Sequence, residues 1–271
     1  MLKRVRGFFE MRHVLEVDVP LLSKTAPIDE HIDLIQLSCC GKRGYLHSSP
    51  EYGMKRLLAE GIGDIYQLSH VFRNEEVGER HQPEFMMAEW YRIGFSLDEM
   101  IEETLSFLSL FLDQPLEEIL TYDEAFRKYG NISWEAVRDR DHHFAFHVEP
   151  KLGQRGFAVL KEYPAADAAL AQTRWNGEKE VAMRFEVLYK GIELANGYLE
   201  LTDPQEQKRR LLEANRRREK LGKESYPLDT AFLKALETGI PDCTGVAVGI
   251  DRLMMLRHGC DHIDEVIPFA W

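Results

Sequence analysis

Hydrophobic positions in several segments of the chain recur with the spacing of one helical face. Residues 2–12 and 97–112 show this spacing, and residues 51–60 also have a helical character. Residues 204–221 are strongly charged and begin at Pro204, a residue that the first turn of a helix accommodates. These patterns predict four helices, and the segments between them have a different character.

Strand-like patterns occupy much of the remaining N-terminal half. Residues 14–20 alternate between apolar and polar positions until Pro20 ends the strand. Residues 64–73 and 84–94 predict two strands joined by a polar loop that is rich in Glu, Gly, Arg and His. Residues 130–180 carry no readable pattern, so no element is predicted there.

Further strands are predicted towards the C-terminus. Residues 184–189 and 192–201 indicate a hairpin that turns through a Lys–Gly pair. Residues 245–250 form an apolar strand, interrupted by glycine, that runs into a helix. Antiparallel hairpins with helices between them predict an α+β fold rather than alternating βαβ units. No repeat, low-complexity tract or linker divides residues 1–271, and we therefore expect a single domain.

Composition and charge exclude several classes of protein. The 271 residues include 46 acidic and 34 basic side chains, which give a formal net charge of −12, and 44% are hydrophobic. Such a chain is globular rather than disordered, and it has no overall attraction to a nucleic-acid backbone. Apolar runs fall short of the roughly 20 residues that span a bilayer, and no apolar signal segment is present. The four cysteines show no CxxC spacing. We therefore expect a cytoplasmic protein with reduced thiols.

An arginine at a strand end is the first candidate for binding an anion. Arg73 ends a predicted strand and precedes a polar loop that continues to Phe85. Because a guanidinium group forms bidentate hydrogen bonds with oxyanions, Arg73 could clamp a phosphate or a carboxylate. A solvated hairpin tip explains this loop equally well when the loop is considered alone.

Three glutamates at intervals of seven residues form the second candidate: Glu186, Glu193 and Glu200. Glu186 and Glu193 flank the predicted turn on paired strands and could face each other across the ladder. Two close carboxylates repel unless a cation lies between them, and oxygen ligands suit Mg²⁺ held together with substrate phosphates. The apolar residues around the three glutamates favour partial burial over the alternative of an exposed row.

A glycine that precedes a helix is the third candidate. Gly249 lies on a strand and permits close approach of a ligand to the backbone. Arg252 follows in the first turn of a helix, where phosphate binding is already favoured. A second arginine for phosphate, together with the acidic pair, indicates an ATP site, although the sequence has no Walker or GxGxxG motif.

These segments, in this order, resemble the three signature motifs of the class II aminoacyl-tRNA synthetases. Residues 14–20 resemble motif 1, residues 72–91 motif 2 and residues 245–252 motif 3. Residues 49–58 and 189–201 resemble the lysyl-tRNA synthetase branch. Within that branch, the sequence is most similar to truncated paralogues, the family of ligases that join (R)-β-lysine to elongation factor P.

The resemblance implies a class II synthetase catalytic domain, with an antiparallel β-sheet flanked by helices and without an anticodon-binding domain. It also implies ATP and Mg²⁺ as cofactors, elongation factor P as protein substrate, and a homodimer whose interface includes motif 1. In the implied reaction, lysine or (R)-β-lysine is activated as an adenylate and transferred to a lysine side chain of elongation factor P.

For ATP, the resemblance implies roles for residues of motifs 2 and 3. Arg73 holds the α-phosphate and the substrate carboxylate, and Arg252 lies near the γ-phosphate; these two are the implied catalytic residues. Phe85 stacks on adenine, and Glu75 contacts the adenosine moiety. The full implied set for ATP is Arg73, Asn74, Glu75, Gln82, Phe85, Glu193, Leu194, Gly249 and Arg252, with Glu186 and Glu193 holding Mg²⁺.

For the amino acid, the resemblance implies a pocket that is rich in carboxylates. Glu51 takes the amino group near the reacting end, and the distal ammonium is bound by Glu89, Tyr91 and Glu200. Asn196 orients the substrate, and the Ala247 methyl group lies at the pocket floor. The full implied set is Ser49, Pro50, Glu51, Glu89, Tyr91, Asn196, Glu200 and Ala247. Several carboxylates are the chemistry that a substrate with two ammonium groups requires.

The sequence departs from this family at two places, and two other functions stay open. Gln82 stands where the family has Asn beside adenine, and residues 130–180 are shorter than in the paralogue. One alternative function is aminoacylation of tRNA, which the acidic charge disfavours; the basic residues of 204–221 are mixed with glutamates and favour a solvated surface helix. The other is a non-catalytic paralogue that binds lysine or ATP.

Overall fold

The computed structural model describes all residues from Met1 to Trp271, which form two compact units. Unit 1 comprises Met1–Gly94, Leu201–Cys243 and Gly249–Trp271, and unit 2 comprises Phe95–Glu200 and Thr244–Val248. No helix is both long enough and apolar enough to cross a bilayer.

Eight helices and twelve strands follow one another along the chain. The strands are β1 (Leu15–Glu16), β2 (Leu22–Ser23), β3 (Gln36–Cys39), β4 (Lys42–Leu46), β5 (Ile65–Phe72), β6 (Glu84–Ile93), β7 (Leu116–Thr121), β8 (Phe157–Pro164), β9 (Thr173–Trp175), β10 (Glu180–Tyr189), β11 (Ile192–Leu199) and β12 (Cys243–Gly249). The helices are α1 (Leu2–Glu10), α2 (Glu51–Ala59), α3 (Leu97–Leu108), α4 (Tyr122–Ala125), α5 (Arg140–His143), α6 (Pro204–Lys220), α7 (Thr230–Thr238) and α8 (Ile250–His258).

In unit 1, the hairpin of β5 and β6 carries most of the predicted motif 2. These two strands pair antiparallel from Ile65 opposite Tyr91 to Phe72 opposite Glu84, and β1 pairs parallel with β5. A separate three-stranded sheet has the order β2-β4-β3. Residues of α2, β5 and β6 pack into a buried apolar cluster, which fixes the start of α2 close to the hairpin: Val19, Met54, Leu58, Ile65, Tyr91 and Cys243.

In unit 2, the strands run in the order β12-β11-β10-β8-β7, with β9 paired to β10. The hairpin of β10 and β11 turns through Lys190 and Gly191, whose φ angles of 53° and 66° are those of a two-residue turn with both central residues left-handed. Gly197 on β11 is required for packing, because an added Cβ would lie 2.3 Å from the Phe185 ring. The predicted hairpin is therefore confirmed.

The α+β class is confirmed, and the structure refines the predicted elements. The helices predicted over 51–60 and 204–221 lie within one residue of α2 and α6. The strand predicted over 14–20 is wrong in length, since only Leu15 and Glu16 pair with β5. The unreadable segment 130–180 contains short helical turns, including a π-helical stretch over Phe144–Val148, and the strands β8 and β9.

Candidate active site

Four of the residues predicted to bind the amino acid lie together in unit 1. Strand β6 carries Glu89 and Tyr91 two positions apart, so both side chains point to the same face. Ser49 Oγ and Tyr91 OH each donate a hydrogen bond of 2.7 Å to the Glu89 carboxylate. The backbone N–H of Glu51, at the start of α2, donates to Ser49 Oγ at 3.0 Å. A strand and a helix start therefore build one buried polar cluster, which we call the amine pocket (Ser49, Glu51, Glu89 and Tyr91).

The Glu89 carboxyl is suited to receiving a cation from outside the protein. Burial raises the pKa of Glu89 to about 7, and the charge of Glu51 adds to the rise. The hydrogen bonds from Ser49 and Tyr91 oppose it. Both donors are neutral hydroxyls, so they orient the carboxylate without neutralising it. The charge of Lys55 also opposes the rise, and an ammonium group that entered the pocket would add a second positive charge for the two carboxylates.

A resident cation in this region was missed by the sequence analysis. Lys55 is fully buried, and its Nζ donates to Glu51 Oε1 over 2.6 Å. The two residues are four positions apart on α2, a spacing that places side chains on one helical face. That spacing could have identified the pair, because Glu51 was already a candidate. The burial of Lys55 could not have been read from spacing.

The predicted phosphate-binding arginines lie in the same unit. Arg73 follows the last residue of β5, and its Nε–H is buried and donates a hydrogen bond to no protein atom. Its guanidinium carbon lies 5.1 Å from the centroid of the Phe85 ring. Arg252, in the first turn of α8, contacts His81 Nε2 through Nη2 at 2.6 Å. A buried N–H without an acceptor fits an oxyanion ligand at Arg73.

The electrostatics of His81 show that several guanidinium groups converge. Burial, and after it the charges of three arginines, lower the pKa of the His81 imidazole to about 4: Arg252, Arg73 and Arg80. The imidazole is therefore neutral near pH 7 and accepts the hydrogen bond from Arg252. Positive charge is concentrated around a neutral ring, as a site for a polyphosphate requires.

The other residues predicted to contact ATP have varied surroundings. Asn74 and Glu75 are exposed, and Glu75 has a left-handed φ of 63°. Gln82 is buried, and its Oε1 accepts a hydrogen bond of 3.2 Å from the backbone N–H of Trp271. At Gly249 an added Cβ would meet no atom closer than 3.9 Å. Leu194, in unit 2, is buried.

Unit 2 contains the predicted acidic pair, but in a different register from the expected one. Glu193 lies opposite Leu188, because the turn through Lys190 and Gly191 pairs Tyr189 with Ile192, and a shift of the β10–β11 ladder between Val187 and Leu188 then places Glu186 opposite Asn196. The two glutamates therefore do not face each other across the ladder. Burial raises the pKa of Glu186 to about 7; the charge of Arg184 opposes this rise, and that of Glu193 adds to it. The two carboxylates are thus close enough to interact.

Arg184 is the second functional candidate that the sequence analysis missed. Its Nη2 donates to Glu186 Oε1 at 2.5 Å, and its Nε donates to Asn196 Oδ1 at 3.2 Å. The residue lies two positions before Glu186 on the same strand face, which was a usable signal. Its contact with Asn196 depends on the register between strands and had no signal in the sequence.

The remaining predicted substrate residues of unit 2 lie on β11, just after it and on β12. Ala247 pairs with Asn196 in the ladder. Glu200 is buried, forms an isolated bridge with Ala171, and its backbone carbonyl accepts from Gln172 Nε2 at 3.0 Å. The predicted partial burial of the glutamates is therefore confirmed for Glu186 and Glu200.

The donor set of Glu186 and Glu193 fits Mg²⁺ rather than a metal with an all-protein shell. No group of three or more His, Cys, Asp or Glu side chains is arranged to hold a metal ion. Mg²⁺ is commonly bound by one or two carboxylates together with substrate phosphates and water. Two carboxylates are sufficient for that arrangement.

The family model for tRNA synthetases of class II (D, K and N) matches residues 1–271. The chain belongs to the class II tRNA synthetase family. This membership confirms the fold that the three motifs implied, and it makes the chain a member of a family of ATP-using enzymes. The arginines of motifs 2 and 3, the amine pocket, Glu193 and Glu200 lie in the segments that carried the resemblance, whereas Glu186 lies just before one of them.

Several curated relatives of this class II protein have a common name. Proteins named elongation factor P–(R)-β-lysine ligase from Vibrio vulnificus (strain YJ016) and Haemophilus influenzae (strain ATCC 51907 / DSM 11121 / KW20 / Rd) are each 41% identical to it. The one from Vibrio cholerae serotype O1 (strain ATCC 39315 / El Tor Inaba N16961) is 42% identical. The alignments cover 100% of this chain and 92–93% of each relative.

The arginines of α6 are largely paired with groups of unit 1. Arg209 and Arg210 both contact Glu206, and the hydrogen bond from Arg209 is the main cause that lowers the pKa of Glu206 to about 2. Arg218 is fully buried and donates to backbone carbonyls at residues 29–32 and to Asp33. The helix thus uses much of its basic charge internally.

Proposed function

We propose that this class II enzyme activates (R)-β-lysine with ATP and transfers it to a lysine side chain of elongation factor P. The names of the relatives support the substrate and the acceptor. The observation that carries the proposal is the placement of Arg252 against His81 and of the buried Arg73 Nε without a protein acceptor, which supports a site for a polyphosphate. The amine pocket supports a substrate with a distal ammonium group.

Two displacement steps complete the proposed reaction. In the first, a carboxylate oxygen of β-lysine attacks the α-phosphorus of ATP, and pyrophosphate leaves as the mixed anhydride forms. In the second, the uncharged amine of the acceptor lysine attacks the carbonyl carbon, an amide forms, and AMP leaves while the amine loses a proton. Arg73 and Arg252 stabilise the charge that develops on the phosphate oxygens. No protein side chain becomes covalently attached, so the enzyme acts by positioning and electrostatics.

Different carboxylates are proposed to bind the ammonium groups of the substrate and Mg²⁺. We propose that Glu89 and Tyr91 hold the distal ammonium and that Glu51 binds the amino group near the reacting end. Phe85 is proposed to stack on adenine. We propose that Glu186 and Glu193 hold Mg²⁺, which would neutralise phosphate charge when bound.

Three further properties are proposed from the family resemblance. The first is a homodimer with motif 1 at its interface, the second is a cytoplasmic location, and the third is that tRNA is not the acceptor. Light scattering after gel filtration would measure the mass of the assembly. Incubation of the enzyme, ATP and labelled β-lysine with either elongation factor P or tRNA identifies the acceptor.

Exchange of pyrophosphate into ATP, dependent on β-lysine, tests the first step. We expect exchange with the unmodified protein and a fall of at least about 100-fold for Arg73→Ala, because one lost transition-state donor costs about this factor. Arg209→Ala, an exposed arginine of the same unit, is the matched control and should exchange normally. Undiminished exchange by Arg73→Ala would overturn the assignment. Exchange with lysine at the same rate would show that the pocket does not select the β-amino acid.

A further inference from the structure

The Arg184 side chain joins two residues that have separate proposed roles. Its guanidinium group donates to Glu186 on its own strand and to Asn196 on the neighbouring strand β11. A third hydrogen bond, from Nη1 to the backbone carbonyl of Asp167, measures 3.2 Å. Three donors on one rigid fork thus meet three acceptors from different parts of unit 2, which fixes the position of the group.

Aromatic rings hold the same guanidinium group. Its carbon lies 4.6 Å from the centroid of the Tyr163 ring and 5.8 Å from that of Tyr198. Such contacts between a cation and an aromatic ring strengthen when water is excluded, and the Arg184 side chain is mostly buried. Arg184 therefore cannot turn towards another acceptor without losing several contacts at once.

The contact with Arg184 decides which way the Asn196 amide faces. An arginine donates hydrogen bonds and accepts none, so the amide atom towards Arg184 must be the oxygen. The Asn196 Nδ2 group is then turned away from the guanidinium. An asparagine side chain, which can usually donate or accept after a flip, is restricted to donating on its other side.

We propose that Arg184 is a positioning residue that fixes Asn196 as a donor to the carboxylate of the amino-acid substrate. This inference rests on the proposed function, because it needs a substrate with a carboxylate near Asn196. A carboxylate accepts hydrogen bonds only, so a fixed Nδ2 donor recognises it, whereas an amide free to flip would present its oxygen part of the time. Arg184 acts on the substrate through Asn196 and does not itself touch it.

A double-mutant cycle on amino-acid binding tests this role. The measurement is the dissociation constant of (R)-β-lysine by calorimetry, without ATP or Mg²⁺, for the unmodified chain, Arg184→Lys, Asn196→Ala and the double variant. Lysine keeps the positive charge beside Glu186 but lacks the planar fork that reaches Asn196 as well. We expect about tenfold weaker binding for Arg184→Lys, and a double variant within about twofold of Asn196→Ala alone. The proposal would be overturned if the double variant weakened β-lysine binding by the product of the two single-variant factors. It would also be overturned if Arg184→Lys bound β-lysine normally.

Two further variants separate positioning from folding. Asn196→Asp keeps a partner for Arg184 but replaces the amide donor by a second acceptor, so it should melt at least as high as the unmodified protein and bind β-lysine at least tenfold more weakly. Normal binding by Asn196→Asp would also overturn the proposal. Arg155→Lys, an exposed arginine of the same unit, is the matched control.

The outcomes of these measurements distinguish an error in the role of Arg184 from an error in the proposed function. If the unmodified protein binds neither β-lysine nor lysine and shows no exchange of pyrophosphate, the proposed function itself is wrong. If the unmodified protein binds and exchanges but the cycle is additive, only the role of Arg184 is wrong.

Discussion

Two buried glutamates, one in each unit, have the same raised pKa but different partners. Burial raises the pKa of both Glu89 and Glu186 to about 7. The hydrogen bonds to Glu89 come from two neutral hydroxyls, those of Ser49 and Tyr91. Glu186 instead contacts the guanidinium group of Arg184 at 2.5 Å.

The difference separates two arrangements of a buried carboxylate. Neutral hydroxyls orient Glu89 for a cation of the substrate, whereas Glu186 contacts a cation of the protein itself. In the amine pocket, the resident cation Lys55 donates a hydrogen bond to Glu51, and its charge also lowers the pKa of Glu89. The pocket thus has two buried carboxylates and one resident cation, so one negative charge is in excess and is available to a cationic substrate. In unit 2, the resident guanidinium contacts Glu186 directly and also fixes Asn196. Changes to individual charges can test each half of this comparison.

Removal of the resident cation of the amine pocket should have the largest effect. Lys55→Met leaves the buried Glu51 carboxylate without its counter-ion, and we expect the free energy of unfolding to fall by about 3–5 kcal/mol. Urea denaturation measures the change. The double variant Lys55→Met/Glu51→Gln should recover much of the loss, since the Glu51 charge is removed together with its counter-ion. Arg56→Met, an exposed neighbour on the same helix, should change stability little. Equal instability of the single and double variants would contradict the ion-pair explanation.

Removal of the Glu89 charge should chiefly affect substrate binding. Glu89→Gln keeps the shape of the side chain but cannot neutralise an ammonium group, and we expect the KM for β-lysine to rise about 100-fold, equivalent to about 3 kcal/mol. The KM for ATP should stay unchanged, as measured by pyrophosphate exchange. Glu84→Gln, an exposed position on the same strand, is the control. A similar loss for both variants would show that the pocket is not specific for the Glu89 charge.

The pH dependence of binding should be the smallest of the three effects. With a pKa of about 7, Glu89 gains a proton in the free protein as the pH falls below 7, and the neutral acid cannot pair with an ammonium group. Because folding raises the pKa of Glu89, ionisation of its carboxyl in the unliganded protein costs free energy as the pH rises towards 7. The substrate ammonium group, once bound, offsets that cost. We expect β-lysine to bind about tenfold more weakly at pH 6 than at pH 8. Glu89→Gln should lose this dependence; its persistence would assign the titration to another group.

The sequence predicted the longer elements well, and the shorter ones poorly. Helix α6 and the β5–β6 hairpin have strong periodicity, and their bounds were close to those observed. The predicted strand over 14–20 pairs at two residues only, because pairing depends on a neighbouring strand and not on alternation alone. In residues 130–180, a buried cluster that includes Tyr122, Phe126 and Val148 stabilises short helical turns. Because these turns are stabilised by residues that are distant in the sequence, the local order of apolar and polar positions does not predict them.

The candidate residues were predicted by type and motif, but their partners were not. Glu51, Glu89 and Tyr91 were expected to share a pocket, and the structure places them together. Glu186 and Glu193 were expected to face each other, but the turn through Lys190 and Gly191 places Glu193 opposite Leu188. The further shift of the ladder, which brings Glu186 opposite Asn196, is not revealed by the alternation of a single strand.

The sequence alone determined the period of each long helix and strand, the order of the three motifs and the supply of arginines and glutamates in them. Those properties are local, because the hydrogen bonds of a helix and the alternation of a strand depend on neighbouring residues. Tertiary structure decided which cation matches which carboxylate. Lys55 and Glu51 lie one helical turn apart, but only the packed core excludes water from their pair. Arg184 reaches Asn196 only because β10 and β11 pair in one register, and burial by the whole fold sets the pKa values of Glu89 and Glu186.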